Sequence, residues 1–255
     1  MQKMTGREWF DSSASALTAL LPATRNQLDA PGLGEWDVRS LLGHTCRAFT
    51  TVERYLSAGA ESPTRQPDVD SPADYYRGAS AMLADAHQVE LRGKDAGREL
   101  GDDPAAAAEA IAQRVCDLVA RTPAHAIVLT PVGAMRLDDY LPSRAFELTV
   151  HGLDLALATG QPIPERLQQN IGNAITLCSQ IATAKQAVQL LRGITGRDRL
   201  PPRLHRHLKQ RGLGECEHFF GRAAEPVAPQ SLWRLGACGA QGDRRGPASP
   251  RGGAA

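Results

Sequence analysis

The fold of this 255-residue chain is decided by one stretch, Leu141-Pro-Ser-Arg-Ala-Phe-Glu-Leu-Thr-Val-His-Gly-Leu-Asp-Leu-Ala156. Their polar members, Arg144, Glu147, His151 and Asp154, are spaced so that an α-helix places all four on one stripe. Apolar residues are expected to form a stripe roughly opposite or to cover the remaining surface: Phe146, Val150, Leu153, Leu157, Leu148 and Leu155. Little of this helix can face water, and a buried charge without a partner costs several kcal/mol. The stripe therefore needs partners.

Two arrangements would satisfy the polar stripe. In a structural one, Arg144 pairs with Glu147, and His151 pairs with Asp154, as a buried ladder. In a functional one, Glu147 and His151 lie at i and i+4 and chelate a metal ion from adjacent turns of a helical bundle. The spacing alone favours the structural ladder.

A second helix is predicted from Val38 to about Ala58, with Asp37 as its N-cap. His44 lies at the edge of its inward face, where a lone histidine is more often a satisfied core residue than a ligand. A bundle could nevertheless bring His44 against the stripe. Two imidazoles and one carboxylate with a fourth position open are typical of catalytic zinc, and the same donors suit Fe(II). The remaining histidines are predicted to be surface residues: His87, His125, His205, His207 and His218.

The rest of the sequence also predicts mainly helices. The first is expected over roughly Gly6 to Leu28, and a third from the Ser71-Pro72 cap to about Leu91. Asp103-Pro104 opens a fourth by the same logic. Its predicted apolar stripe consists of Ile111, Val115, Leu118 and Val119.

The hydrophobic period changes to two after Pro123, and residues 126–137 are predicted to form a short β-hairpin. Asp138 and Asp139 are candidate caps for the helix that ends at Thr159, with Gly160 at its C′ position. One last long helix is expected from Pro164 to Gly193 or Gly196. Its apolar residues recur at helical spacing: Leu167, Ile171, Ile175, Cys178, Ile181, Val188 and Leu191.

The bulk composition excludes several classes of function. Lys+Arg of 29 against Asp+Glu of 28 leaves a net charge of +1, which gives no electrostatic case for nucleic acid. No apolar run is long enough to span a bilayer, and the start of the chain has no secretory h-region, so we expect a cytoplasmic protein. The cysteines are scattered along the chain, so their spacing predicts neither disulfides nor a four-thiolate zinc site. Those in helical patterns are expected to be core residues: Cys46, Cys116 and Cys178.

Three separated stretches resemble one known family. They are Trp36-Asp-Val-Arg-Ser-Leu-Leu-Gly-His44, residues 130–137, and Arg144-x2-Glu147-x3-His151-Gly-x-Asp154-Leu. Together they are similar to the mycothiol-dependent maleylpyruvate isomerase family. That family belongs to the DinB-like, or YfiT-like, helical bundles. The resemblance covers roughly residues 5 to 200.

The resemblance implies an all-α fold, an up-down-down-up four-helix bundle with extra helices and a short β-hairpin. It also implies a divalent metal, usually zinc, held by His44, Glu147 and His151, and mycothiol as a thiol cosubstrate that attacks a small electrophile. Asp154 would then orient a ligand imidazole, and Arg144 would pair with Glu147 or a nearby anion. A structural ladder remains an equal alternative for these two residues. Such bundles occur as monomers or homodimers.

The chain departs from the isomerase proper after Gly196, where nothing resembles the small C-terminal domain of that enzyme. We expect residues 1–200 to form the metal-binding bundle and residues 201–255 to be a disordered tail rich in Arg, Gly, Ala and Pro. The composition after Gly214 is also typical of out-of-frame translation of a GC-rich gene, which we state as a hypothesis. The departure argues against maleylpyruvate itself as the substrate.

Three functions follow as hypotheses. The first is a mycothiol-dependent isomerase or transferase that activates a thiol at the metal. The second is a metal-binding bundle without catalysis, such as a sensor or a sequestration protein. The third is a structural or interaction module without metal, in which the polar stripe is only a buried ladder.

Overall fold

The computed structural model describes residues 4–61, 64–81 and 86–197. Eight helices and one hairpin follow in chain order: α1 Gly6–Thr24, α2 Val38–Ala60, α3 Pro72–Ala81, α4 Ala86–Glu99, α5 Pro104–Arg121, β1 Ile127–Thr130, β2 Gly133–Arg136, α6 Leu137–Ala158, α7 Glu165–Ile181 and α8 Ala184–Ile194. None of the helices in these ranges has the length and apolar character needed to cross a membrane. The predicted tail lies outside the described residues.

Four helices, α1, α2, α5 and α6, form the central bundle. Helix α1 packs against α5 and α6, and α2 packs against the same two, so α1 and α2 occupy diagonal positions. Their side chains meet across the centre, where the Phe10 and Phe49 rings contact edge to face at 5.8 Å. The hydrophobic core fills this centre, because each of the four helices turns an apolar stripe toward it.

Contacts along the helices show their directions. Trp9 on α1 contacts Thr149 on α6, and Leu20 lies beside Gln161 just after α6, so α1 and α6 run parallel. Helix α5 runs opposite to α1, because Arg7 contacts the carbonyl of Val119 near the end of α5. Helix α2 runs opposite to α6, because His44 meets His151 whereas Thr51, further along α2, meets Tyr140 earlier in α6. The predicted up-down-down-up bundle is therefore confirmed.

Several predicted helix signals are confirmed in atomic detail. The Asp37 side chain accepts a hydrogen bond from the backbone N–H of Ser40 and caps α2. Asp103 caps α5 in the same way, with Pro104 at the first helical position. Gly160 has φ of +65° after α6, a left-handed conformation that favours glycine at C′. The hairpin is also present, with Val128 paired to Met135.

Other boundaries were wrong. Helix α1 ends at Thr24 rather than Leu28. The predicted third helix corresponds to two described helices, α3 and α4, and the second of these continues past Leu91 to Glu99 because it packs against α2. Asp138 and Asp139 lie in the first turn of α6 instead of capping it, and Arg136 occupies the N-cap without a side-chain bond.

The last predicted helix is divided in two. Ala182 is extended, and Thr183 starts α8 through a capping box with Gln186, a local signal that ends α7 at Ile181. The predicted apolar stripe is also partly wrong. Leu167 is buried, whereas Ile175, Val188 and Leu191 are exposed.

Candidate metal centre

The antiparallel packing of α2 on α6 brings three predicted ligands together. His44, Glu147 and His151 each offer one donor atom, and the three atoms lie within 4.8 Å of one another. Within residues 4–61, 64–81 and 86–197, no other group of three His, Cys, Asp or Glu side chains is placed to hold a metal ion. The pair on α6 follows from local spacing, but the approach of His44 depends on how the two helices pack.

His151 is almost completely buried and is held from both sides on its own helix. Its Nδ1 lies 3.1 Å from Oδ2 of Asp154, and its Nε2 lies 3.4 Å from Oε2 of Glu147. A carboxylate on one ring nitrogen fixes the orientation of the imidazole and makes the other nitrogen more basic. Asp154 therefore holds His151 with Nε2 directed toward Glu147.

Glu147 receives a hydrogen bond from a residue that the sequence did not point to. The hydroxyl of Tyr76, on α3, lies 2.7 Å from Oε1 of Glu147 and 2.9 Å from the carbonyl oxygen of Ser143. The donation to Oε1 leaves Oε2 as the carboxylate oxygen that faces His151. No local spacing links Tyr76 to Glu147, and only the packing of α3 on α6 brings them together.

The His44 imidazole lies between two other rings. Its centroid is 4.6 Å from that of Trp36 in a stacked arrangement with an interplanar angle of 29°. It is 4.9 Å from the centroid of His151, with the two rings at 89°. The motif that begins at Trp36 and ends at His44 thus places its first and last residues in direct contact.

The electrostatics of the three side chains differ. Burial lowers the pKa of His44 well below its usual value, and the nearby charge of His151 adds to this effect, so His44 is neutral. Burial also lowers the pKa of His151, but the contacts with Asp154 and Glu147 and the negative charges of these two groups outweigh it and raise that pKa. For Glu147, burial raises the pKa, whereas the contacts with His151, Arg144 and Tyr76 lower it overall. Without metal, the protonated imidazole ring of His151 thus lies between two carboxylates, with Nδ1 facing Asp154 and Nε2 facing Glu147.

Arg144 does not complete the predicted ladder. The described structure has no ion pair between Arg144 and Glu147; instead the guanidinium lies over the Tyr75 and Tyr140 rings, 5.4 and 5.0 Å from their centroids. Its Nε donates to the Ser143 hydroxyl at 3.0 Å. The His151–Asp154 half of the ladder is present, and the Arg144–Glu147 half is wrong, because the aromatic rings from α3 and α6 take the cation.

The predicted apolar stripe of α6 was also partly wrong. Phe146 is buried, but Val150 and Leu153 are only half-buried and Leu157 is exposed. The helix faces the core with the side that carries His151, Leu148 and Leu155. The polar stripe consequently lies toward the bundle.

The residues fit a divalent metal ion. Ligands bound at about 2.0–2.2 Å in a tetrahedral zinc site are about 3.4 Å apart, and the Nε2 of His151 and Oε2 of Glu147 already have this separation. That nitrogen is fully buried and makes no hydrogen bond of good geometry in the described structure. A cation between these donors would satisfy it, because a buried polar atom needs a partner.

The three cysteines in the described residues supply no reactive thiol near this centre. Cys46 lies two residues beyond His44, and burial raises the pKa of its thiol to about 12. Burial likewise raises the pKa of Cys116 and of Cys178 to about 11. The thiolate is the nucleophilic form, so all three are inert at neutral pH. Their predicted core role is confirmed for Cys46, which is buried, and the other two pack half-buried against the core. Cys216 and Cys238 lie outside the described residues.

Of the five histidines predicted to lie at the surface, two fall within the described residues. His87 and His125 are exposed, as predicted. His205, His207 and His218 fall outside the described residues.

Comparison with known proteins identifies the domain. Residues 7–156, from α1 almost to the end of α6, match the family model described as the mycothiol maleylpyruvate isomerase N-terminal domain. No curated protein and no solved structure shows significant similarity to the chain. The matched residues include α2, α5, nearly all of α1 and α6, and every residue of the candidate centre, and the chain belongs to the mycothiol maleylpyruvate isomerase N-terminal domain family.

Proposed function

We propose that this protein binds a divalent metal ion, with zinc as the first candidate, through His44, Glu147 and His151. In this proposal the metal activates a low-molecular-weight thiol such as mycothiol for transfer to, or isomerisation of, a small electrophile. The observation that carries the proposal is the convergence of three donor atoms from two helices within 4.8 Å. A donor set of two histidines and one carboxylate leaves a position open, as catalytic zinc sites do.

The charges of the donors favour a thiolate as the fourth ligand. With both imidazoles neutral, Glu147 supplies a single negative charge, so a divalent ion would keep a net charge of +1 at this site. When bound there, zinc would deprotonate a coordinating thiol and hold it as the nucleophilic thiolate. The three cysteines in the described residues do not offer that thiol, because burial raises the pKa of each, which supports a thiol that comes from solution.

The surrounding residues would prepare the donors. Asp154 holds Nδ1 of His151, and Tyr76 holds Oε1 of Glu147, so Nε2 and Oε2 face each other. Such partners fix the ligands before the metal arrives and raise their basicity. Arg144 stays one helical turn away as a buried cation, which would favour an anionic group on the electrophile. A thiol cosubstrate fits a reducing compartment, so we propose a cytoplasmic location.

Elemental analysis of the purified protein tests the first step. We expect one equivalent of zinc in the wild type and strong loss of zinc in His44→Ala and His151→Ala. His125→Ala is the matched control, because His125 is exposed outside the centre. A wild type that retains no added zinc in equilibrium dialysis would contradict the proposal and favour the buried ladder.

Turnover tests the second step. The zinc-loaded protein is mixed with mycothiol and a chromogenic electrophile, and product formation is compared between the wild type and His44→Ala. We expect thiol transfer in the wild type and none in the variant. Zinc binding with no thiol binding and no turnover would instead indicate a metal-binding bundle without catalysis.

A further inference from the structure

The Trp36 side chain stacks on His44, a residue of the candidate centre. The indole is buried, 5% exposed, and covers one face of the His44 imidazole. The edge of the same imidazole meets His151. A ring confined on its face and at its edge cannot turn about its χ2 bond without displacing a neighbour.

Helix α4 holds this indole in place through two contacts. The Nε1–H of Trp36 donates to the backbone carbonyl of Glu90 at 2.9 Å. One turn further along α4, a Cβ on Gly93 would overlap with Cε2, Cζ2 and Nε1 of the same indole. Glycine at position 93 therefore leaves the space that the indole occupies, and the Glu90 carbonyl anchors its polar edge.

We propose that Trp36 is a positioning residue, which holds the plane of the His44 ring for joining Glu147 and His151, and that α4 controls this position through Glu90 and Gly93. The effect of Trp36 on metal binding rests on the function proposed above. The inference extends the centre to a helix that supplies no ligand and lies outside the four bundle helices. It also gives the tryptophan of the Trp36 to His44 motif a specific role.

The proposal predicts a graded loss of zinc affinity. Residues that orient metal ligands typically change affinity by about 10–100-fold when removed, so we expect Trp36→Leu to weaken zinc binding about tenfold or more. Trp36→Phe keeps a flat ring on His44 and should retain most of the affinity. Gly93→Ala displaces the indole without changing Trp36 and should resemble Trp36→Leu in direction.

Gly97→Ala is the matched control. Gly97 lies on the same helix, one turn beyond Gly93, and a Cβ there would press on the backbone of α2 at Arg39 and Ser40, not on the indole. Both variants add one methyl group to the packed face of α4, at Trp36 for Gly93→Ala and at the first turn of α2 for Gly97→Ala. Chelator competition measures the zinc dissociation constant, and thermal unfolding reports stability. We expect both to lose stability, but only Gly93→Ala to lose zinc affinity several-fold.

A readout in the metal-free protein separates this proposal from the proposed function. The stacked indole should shift the His44 ring-proton NMR signals upfield, and His44→Ala assigns them. We expect the shift to vanish in Trp36→Leu and to persist in part in Trp36→Phe. If the wild type binds no zinc, the proposed function fails, and this measurement still decides the role of Trp36.

Two results would overturn the proposal. One is a His44 signal that does not change in Trp36→Leu. The other is a zinc affinity that stays at the wild-type value in Trp36→Leu, or falls equally in Gly93→Ala and Gly97→Ala. Trp36→Phe and Gly93→Ala keep the test decisive if Trp36→Leu does not fold.

Discussion

Helix α6 buries a stripe of ionisable residues, whereas helix α8 exposes a row of apolar ones. On α6, His151 is 2% exposed and Arg144 is 8% exposed. On α8, Val188, Leu191 and Ile194 are each more than half exposed. Both arrangements run against the simple rule that apolar residues lie inside. The difference teaches that partners decide burial: on α6, His151 is held by a carboxylate, Glu147 by a hydroxyl and Arg144 by an aromatic ring.

Removing a charge from the buried stripe should have the largest effect. Glu147→Gln leaves the imidazolium of His151 with Asp154 alone, and breaking a buried ion pair costs about 3–5 kcal/mol. We expect the free energy of unfolding of the metal-free protein to fall by about 3 kcal/mol in urea denaturation at pH 7. Glu109→Gln, on the exposed side of α5, is the control and should change little. Equal effects of the two changes would contradict the view that α6 depends on paired charges.

The hydroxyl of Tyr76 provides a smaller perturbation of the same stripe. Tyr76→Phe removes its bond to Oε1 of Glu147, and a hydrogen bond to a charged group contributes about 1.5–3 kcal/mol. We expect a loss of that size in the free energy of unfolding. Among the described residues, the Tyr55 hydroxyl is hydrogen-bonded to the exposed Arg54 side chain alone, so Tyr55→Phe should cost much less. A Tyr76→Phe protein as stable as the wild type would show that Glu147 does not need this donor.

Breaking an exposed ion pair should change stability less than a change in the buried stripe of α6 and more than one in the exposed row of α8. Arg114 on α5 donates to Glu53 on α2 at 2.7 Å, and this hydrogen bond lowers the pKa of Glu53 despite an opposing effect of partial burial. The lowered pKa means that the pair stabilises the fold above the unfolded pKa of about 4.3 and loses this effect as the pH falls through the folded value.

We expect Glu53→Gln to lower the free energy of unfolding by less than about 1 kcal/mol at pH 7, because solvent screens the pair. The difference between variant and wild type should shrink as the pH approaches 3, which urea denaturation at several pH values measures. A difference that grows toward acid pH would contradict this assignment.

The exposed row on α8 should give the smallest effect. Leu191 is 64% exposed, and exposed substitutions away from special features change stability by about 0.5 kcal/mol or less. We expect Leu191→Ser to stay within that limit in thermal or urea unfolding, while Leu177→Ser on α7, at a buried position, should destabilise strongly. A large loss in Leu191→Ser would show that this row is covered in solution and that the contrast with α6 is smaller than the structure indicates.

Prediction from sequence succeeded where the signal is local. Asp37 and Asp103-Pro104 start helices because a side-chain oxygen at the N-cap accepts a backbone N–H three residues on. It failed where a neighbouring element or a second local signal intervenes. Thr183 and Gln186 form a capping box inside one continuous apolar pattern, so the predicted last helix is in fact two.

For the centre, the sequence by itself determined that Glu147 and His151 share one face of α6, because residues four apart on a helix lie one above the other. It also placed Asp154 within reach of His151, since three residues is the same kind of spacing. Only the tertiary structure decided that His44 joins this pair, that Tyr76 holds Glu147, and that Arg144 turns to the tyrosine rings. Backbone geometry sets distances within one helix, whereas contacts between helices depend on how the whole core packs.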